Sequence, residues 1–138
     1  MMKIVLGYDG SGHSRQALER VGELFAGQDA EVFVVSVIHV AAPSHGSSYE
    51  DSDETREREA ELEEATTYLA DRKLKTSAVK AHGDPATAIV EEAREIEADL
   101  IVVGTHGRGL VRDILLGSVS TKVVHRAHCD VLVVRQSG

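Results

Sequence analysis

Short apolar runs alternate with segments of helical periodicity along the chain. Four of the runs are almost continuously aliphatic, which is typical of strands covered on both faces of a sheet. A further run, LKTSAVKA (74–81), mixes polar and small residues and indicates an edge strand. The predicted strands are 3–8, 31–38, 74–81, 99–104 and 130–135.

Apolar residues at helical spacing predict a helix between each pair of consecutive strands. In the third gap, Asp84 and Pro85 supply an N-cap and a first-turn proline. The second helix is predicted from about Ser52 to Arg72, and the fourth from Ser118 as its N-cap. The side chains expected to face the core are Ala17, Leu18, Val21, Leu24 and Phe25, then Leu62, Ala65, Tyr68 and Leu69, then Ala86, Ile89, Val90, Ala93 and Ile96, and finally Val119, Val123 and Val124.

The alternation of strands and helices predicts one α/β domain over residues 1–138, with a mainly parallel open sheet. Such sheets bind ligands beyond the carboxyl ends of their strands, where the winding direction reverses. Asp9, Val37 and the segment from Gly104 onwards all lie at such ends. The polar segment 41–50 is expected to be a surface loop.

Composition narrows the classes of function. The 138 residues carry a formal net charge of −8, which argues against a general nucleic-acid binder. No apolar run approaches the ~20 residues that cross a bilayer, and no export signal is visible, so we expect a cytoplasmic protein without a membrane partner. The most acidic stretch, 50–64, holds nine acidic residues and two arginines and is interpreted as a solvated helix face.

The segment GTHGRGLVRDILLGSVS (104–120) is the best candidate for a binding site. It has four glycines and two serines, and residues 104–126 have four basic side chains against one acidic. Gly117 and Ser118 open a predicted helix, whose N-terminal amides and positive dipole end suit phosphate. A tight chain reversal without a ligand is the alternative, and on composition alone the two are about equally weighted. Leu110 and Val111 stand where a P-loop needs lysine and Ser/Thr, so this is not a P-loop.

Asp9 follows the first strand, where its carboxylate could accept hydrogen bonds from ribose hydroxyls. An Asx turn leading into the first helix is an equally weighted interpretation.

These motifs together resemble the universal stress protein family over essentially the whole chain. The similarity is carried by KIVLGYDGSGHS, GDPATAIV, ADLIVVGTHGRG and LLGSVSTKVVHRAHCDVLVV. The spacing G-x2-G-x9-G-[ST], formed by Gly104, Gly107, Gly117 and Ser118, marks that family's ATP-binding branch. The resemblance implies a Rossmann-like sheet of order 3-2-1-4-5 with helices on both faces.

The resemblance also implies roles for individual residues. Asp9 and Gly104 would lie by the ribose, and the backbone of Val37 beside adenine. Gly107, Gly117, Ser118, Val119 and Ser120 would surround the phosphates of ATP, which can carry Mg²⁺. Arg108 is a further candidate phosphate partner, with a solvated surface residue as the alternative.

No catalytic or metal site is predicted. His106 is interpreted as a solvent-exposed loop histidine rather than a base that orients water. Ser11 and His13 show no third group that would complete a triad. His125, His128 and Cys129 are too close together to form a tetrahedral site without a distant ligand.

Three functions therefore remain in view: an ATP-dependent regulatory module, which we favour, a slow ATPase or phosphoryl-transfer enzyme, and an interaction protein with a vestigial pocket.

The last strand would occupy a sheet edge in the family's order. Relatives pair this strand across a two-fold axis, which predicts a homodimer through Val131 to Val134.

Overall fold

The computed structural model describes residues 1–38, 53–106 and 116–136. Nine helices and strands lie within these ranges, in strictly alternating order. They are β1 (Met2–Gly7), α1 (Gly12–Phe25), β2 (Ala30–Ile38), α2 (Asp53–Ala70), β3 (Lys75–His82), α3 (Pro85–Glu95), β4 (Leu100–Gly104), α4 (Ser118–Arg126) and β5 (Asp130–Val134). The predicted surface loop 41–50 lies outside the described residues.

The five strands form one parallel sheet of order β3-β2-β1-β4-β5. This confirms the predicted fold, including the edge position of β3. The winding direction reverses between β1 and β4, so the carboxyl ends of these two neighbours form the switch point at which open α/β sheets bind ligands.

Two apolar layers cover the sheet, one on each face. One layer packs α1 and α2 against side chains such as Ile4, Leu6 and Val34. The other packs α3 and α4 against the opposite side chains, such as Val5, Val35 and Ile101. Coverage of both faces explains why the central strands are continuously aliphatic.

Two predicted core residues are exposed instead. Leu24 and Val124 are each 46% exposed. Both lie at helical spacing from buried neighbours, but near the margin of the apolar stripe, where periodicity alone does not separate core from surface.

The start of α3 agrees with the prediction. Asp84 is the N-cap, and its carboxylate accepts hydrogen bonds from the Thr87 amide (3.0 Å) and the Thr87 hydroxyl (2.8 Å). These bonds, with Lys122 and Arg126 nearby, lower the pKa of Asp84 below its usual value. The carboxylate therefore stabilises the fold above the pKa it has in the unfolded chain, and this stabilisation is lost as the pH falls through the lower folded pKa.

Replacing this cap is expected to have a measurable cost. Asp84→Ala should lower the free energy of unfolding by about 1 kcal/mol, because the Thr87 amide loses its acceptor. Urea denaturation near neutral pH measures the effect, and Asp84→Asn, which keeps a side-chain acceptor, is the control. Equal stability of the alanine variant and the native chain would show that the cap contributes nothing.

Candidate functional site

The site is built at the carboxyl ends of β1 and β4, around Thr105 and His106. Thr105 is 6% exposed, and its amide donates to the Val134 carbonyl at 3.1 Å, which fixes the exit of β4 against β5. The turn after β1 lies on one side of this pair and the start of α4 on the other.

The N-terminus of α4 is anchored through the Thr105 carbonyl. This oxygen accepts hydrogen bonds from the Gly117 amide at 2.6 Å and from the buried Ser120 hydroxyl at 2.9 Å. Ser120 Oγ also lies 3.1 Å from the Gly117 carbonyl. Two of the groups predicted to face phosphate are thus engaged within the protein, where they hold the helix in place.

Gly117, not Ser118, is the N-cap of α4, so that part of the prediction is wrong. Gly117 has extended backbone angles and no side chain to satisfy the amides of the first turn. A Cβ added to it would lie 3.1 Å from the Thr105 carbonyl and 3.3 Å from the His106 Cα. The close approach of residues 105–106 therefore favours glycine, and Ser118 becomes the first helical residue.

The first turn of α4 presents open donors. Within the part of the chain that the structure describes, the amides of Ser118, Val119 and Ser120 have no protein acceptor. Ser118 is exposed, so an incoming group can reach this turn. Unsatisfied amides and the positive end of the helix dipole together favour an anion.

Asp9 forms the other side of the site. Its carboxylate Oδ1 accepts from the Ser11 amide at 2.9 Å, which is the Asx turn considered from the sequence. Ser11 in turn caps α1 by accepting from the Ser14 amide. The turn gives the Asp9 side chain a defined orientation at the end of β1, and the ribose contact stays a prediction.

Two histidines join these sides. His13 Nδ1 and Thr105 Oγ1 lie 3.1 Å apart and share a hydrogen bond. The rings of His13 and His106 pack with centroids 5.0 Å apart. His106 is therefore half-buried, and its interpretation as a solvent-exposed loop histidine is wrong. Sequence spacing gave no sign of this pair, because the contact joins the first turn of α1 to the exit of β4.

Burial and the neighbouring His106 lower the pKa of His13, with Asp9 opposing the shift. The fold thus favours neutral His13. Its contribution to stability is complete above the ordinary pKa of 6.5 and is lost as the pH falls below that value toward the lower folded pKa.

We expect the melting temperature to fall between pH 7.5 and pH 5.5 and His13→Asn to reduce that fall, since the variant has no imidazole to protonate. Thermal unfolding followed by circular dichroism at both pH values measures the difference. An identical fall in both proteins would exclude His13 as its source.

The remaining predicted residues are placed as follows. Gly104 ends β4, and a Cβ there would lie 2.6 Å from the His13 carbonyl oxygen, so the glycine lets α1 approach the strand. Val37 lies near the carboxyl end of β2, half-buried against the α3 and α4 layer. Gly107 and Arg108 lie outside the described residues.

Sequence reasoning missed that two polar residues of the acidic helix α2 are buried. Arg58, within the stretch interpreted as a solvated face, is only 5% exposed and Thr55 only 2%. Both residues lie at helical spacing from the buried Leu62, which could have predicted their burial. The high charge of this stretch favoured a solvated face instead.

An open parallel α/β sheet with an uncapped helix start at its switch point is a fold typical of nucleotide binding. The chain belongs to the universal stress protein family, whose model matches residues 1–135. A universal stress protein of Methanocaldococcus jannaschii is 37% identical over 139 residues, covering 97% of this chain and 82% of the relative. One of Thermus aquaticus is 35% identical, covering 96% of this chain and 97% of the relative.

A solved universal stress protein in complex with cAMP matches with a TM-score of 0.76 and 30% identity, covering 99% of this chain and 98% of that one. The resemblance noted from the sequence motifs is thereby confirmed at the level of the family and the fold. In the described residues, no helix is both long and apolar enough to span a membrane.

Proposed function

We propose that this chain binds ATP, with its magnesium ion, and acts as a nucleotide-dependent regulatory module of the stress response in the cytoplasm. The observation that carries the proposal is the uncapped first turn of α4, whose amides at Ser118 and Val119 open at the carboxyl end of β4. A solved relative that binds an adenine nucleotide supports the ligand class.

We infer that the ligand is a nucleotide with a phosphate chain rather than a compact cyclic one. The helix amides at the site can donate hydrogen bonds to phosphate oxygens, and the His13–His106 pair lies close to Gly117 at the start of this helix. On the opposite side, the Asx turn gives the Asp9 side chain a defined orientation. We infer that its carboxylate accepts hydrogen bonds from the ribose hydroxyls. Each additional phosphate, from AMP to ADP to ATP, should therefore add contacts with the donors around α4.

Identification of a copurified ligand tests this function most simply. Mass spectrometry of small molecules released from the purified protein is expected to find an adenine nucleotide. Calorimetry is expected to give the highest affinity for ATP, a lower one for ADP and the lowest for AMP. Absence of adenine-nucleotide binding would instead support an interaction protein with a vestigial pocket. Magnesium-dependent product formation that is abolished by a Ser118 substitution would identify an ATPase.

We also propose that the protein is a homodimer through β5. The strand lies at the sheet edge, hydrogen-bonded to β4 on one side, and residues Val131 to Val133 are only half-buried. An aliphatic edge of this kind is open to pairing with a second copy across a two-fold axis. Sedimentation equilibrium at micromolar concentration should give twice the mass of the chain, and a monomer would contradict the pairing.

A further inference from the structure

Glu61 on α2 packs against the turn that carries Asp9. A Cβ built on Gly10 would lie only 2.6 Å from Glu61 Oε1 and 2.7 Å from its carboxyl carbon. Gly10 has φ of +77°, in the left-handed region that residues with a side chain seldom adopt. The carboxylate therefore covers the turn directly beside Asp9, in a space that only glycine leaves open.

A buried arginine holds Glu61 in this position. Arg58 Nε lies 2.7 Å from Glu61 Oε2, and its terminal nitrogen lies 2.9 Å from Oε1, so the pair is bidentate. The Arg58 side chain is 6% exposed and that of Glu61 16%. Glu54 and Glu57 add further carboxylates, at 4.0 and 3.4 Å from the guanidinium.

Such an ion pair is better suited to fixing orientation than to adding stability. Desolvation of both charges offsets much of their attraction, and apolar replacements of buried pairs are often neutral or stabilising. The bidentate geometry nevertheless permits few rotamers for either side chain. Glu61 thus presents a fixed surface to Gly10, the residue that directly follows Asp9 in the turn, while the Asp9 carboxylate accepts from the Ser11 amide.

We propose that the Arg58–Glu61 pair is a positioning device for Asp9 and thereby sets the recognition of ribose hydroxyls. This inference rests on the proposed binding of ATP. It makes α2, which contributes none of the predicted nucleotide contacts, a determinant of specificity for ribonucleotides. The phosphate contacts proposed at α4 involve the other side of the site, so we expect them to be independent of the pair.

The test compares ATP with 2′,3′-dideoxy-ATP, which lacks the hydroxyls. Calorimetry on the full chain should show that the native protein prefers ATP. In the double variant Arg58→Met/Glu61→Ala, the affinity for ATP should fall about tenfold, the size of one weakened hydrogen bond to a charged group, with the dideoxy affinity unchanged. A general loss of structure would instead lower both affinities together.

A matched control is available on α1. Arg20 and Glu23 form an ion pair at the same i,i+3 spacing, with side chains 50% and 67% exposed, so Arg20→Met/Glu23→Ala should leave both affinities unchanged. Glu61→Asp serves as a second variant, since it keeps the charge but withdraws the carboxylate from Gly10 by one methylene. Like the double variant, it should reduce the preference for ATP over 2′,3′-dideoxy-ATP.

The outcomes separate the two proposals. Folded variants that keep the native preference for ATP would overturn the role of the pair and leave ATP binding intact. A native protein that binds neither nucleotide would show that the proposed function itself is wrong.

Discussion

Replacing Ser118 with aspartate is expected to weaken ATP binding about hundredfold, because two like charges ~4 Å apart near a protein surface repel by about 4 kcal/mol before salt screening. Ser118 is exposed at the first position of α4, beside the open amides. A carboxylate there would compete with phosphate for the same donors and the same end of the helix dipole.

Ser118→Asn is the matched control, since asparagine has the size of aspartate without its charge. Its ATP affinity should stay within about tenfold of the native value, as expected for the loss of one hydroxyl contact. The aspartate should not destabilise the fold, because an acidic residue at a helix start is favourable. Equal ATP affinities of the two variants, measured by calorimetry at low salt, would exclude phosphate from the α4 N-terminus.

Gly104→Ala is expected to lower the free energy of unfolding by about 2 kcal/mol or more, and the melting temperature by about 6 °C or more. The new Cβ would lie 2.6 Å from the His13 carbonyl oxygen and 2.8 Å from its carbonyl carbon. Backbone atoms in the first turn of α1 cannot rotate away as a side-chain end can. The helix must shift as a unit, which also moves His13 away from Thr105.

Gly12→Ala, in contrast, is not expected to destabilise the fold. Among the described residues, a Cβ at Gly12 meets only the flexible end of Gln136, at 3.3 Å, and the residue opens α1. Stability should therefore be unchanged or raised by up to about 1 kcal/mol. Thermal and urea unfolding of the two variants measure the difference, and equal stabilities would show that the close approach at Gly104 is not what requires glycine.

The fold was predictable because its signals are local. Continuous aliphatic runs specify strands covered on both faces, and the Asp84–Pro85 pair specifies where α3 begins. Leu24 and Val124 mark the limit of this reasoning, since burial at the edge of a helical stripe depends on neighbouring elements. The N-cap of α4 was misplaced for a related reason: Ser118 has the better capping side chain, but the Thr105 carbonyl holds the amide of Gly117.

The candidate site was predictable only in outline. Asp9 and the start of α4 follow from strand ends and helix starts. The contacts between them do not, because Thr105 and His13 are 92 residues apart in the chain and meet only through the parallel pairing of β1 with β4. Burial of Arg58 was likewise hidden, since an arginine among acidic residues is ordinarily solvated and only tertiary packing buries this one.

A crystal structure of the chain with ATP tests the central claim most directly. Phosphate oxygens are expected about 3 Å from the amides of Ser118 and Val119, at ordinary hydrogen-bond distance, with the ribose on the Asp9 side. A phosphate chain bound elsewhere, with these amides still facing solvent, would contradict it.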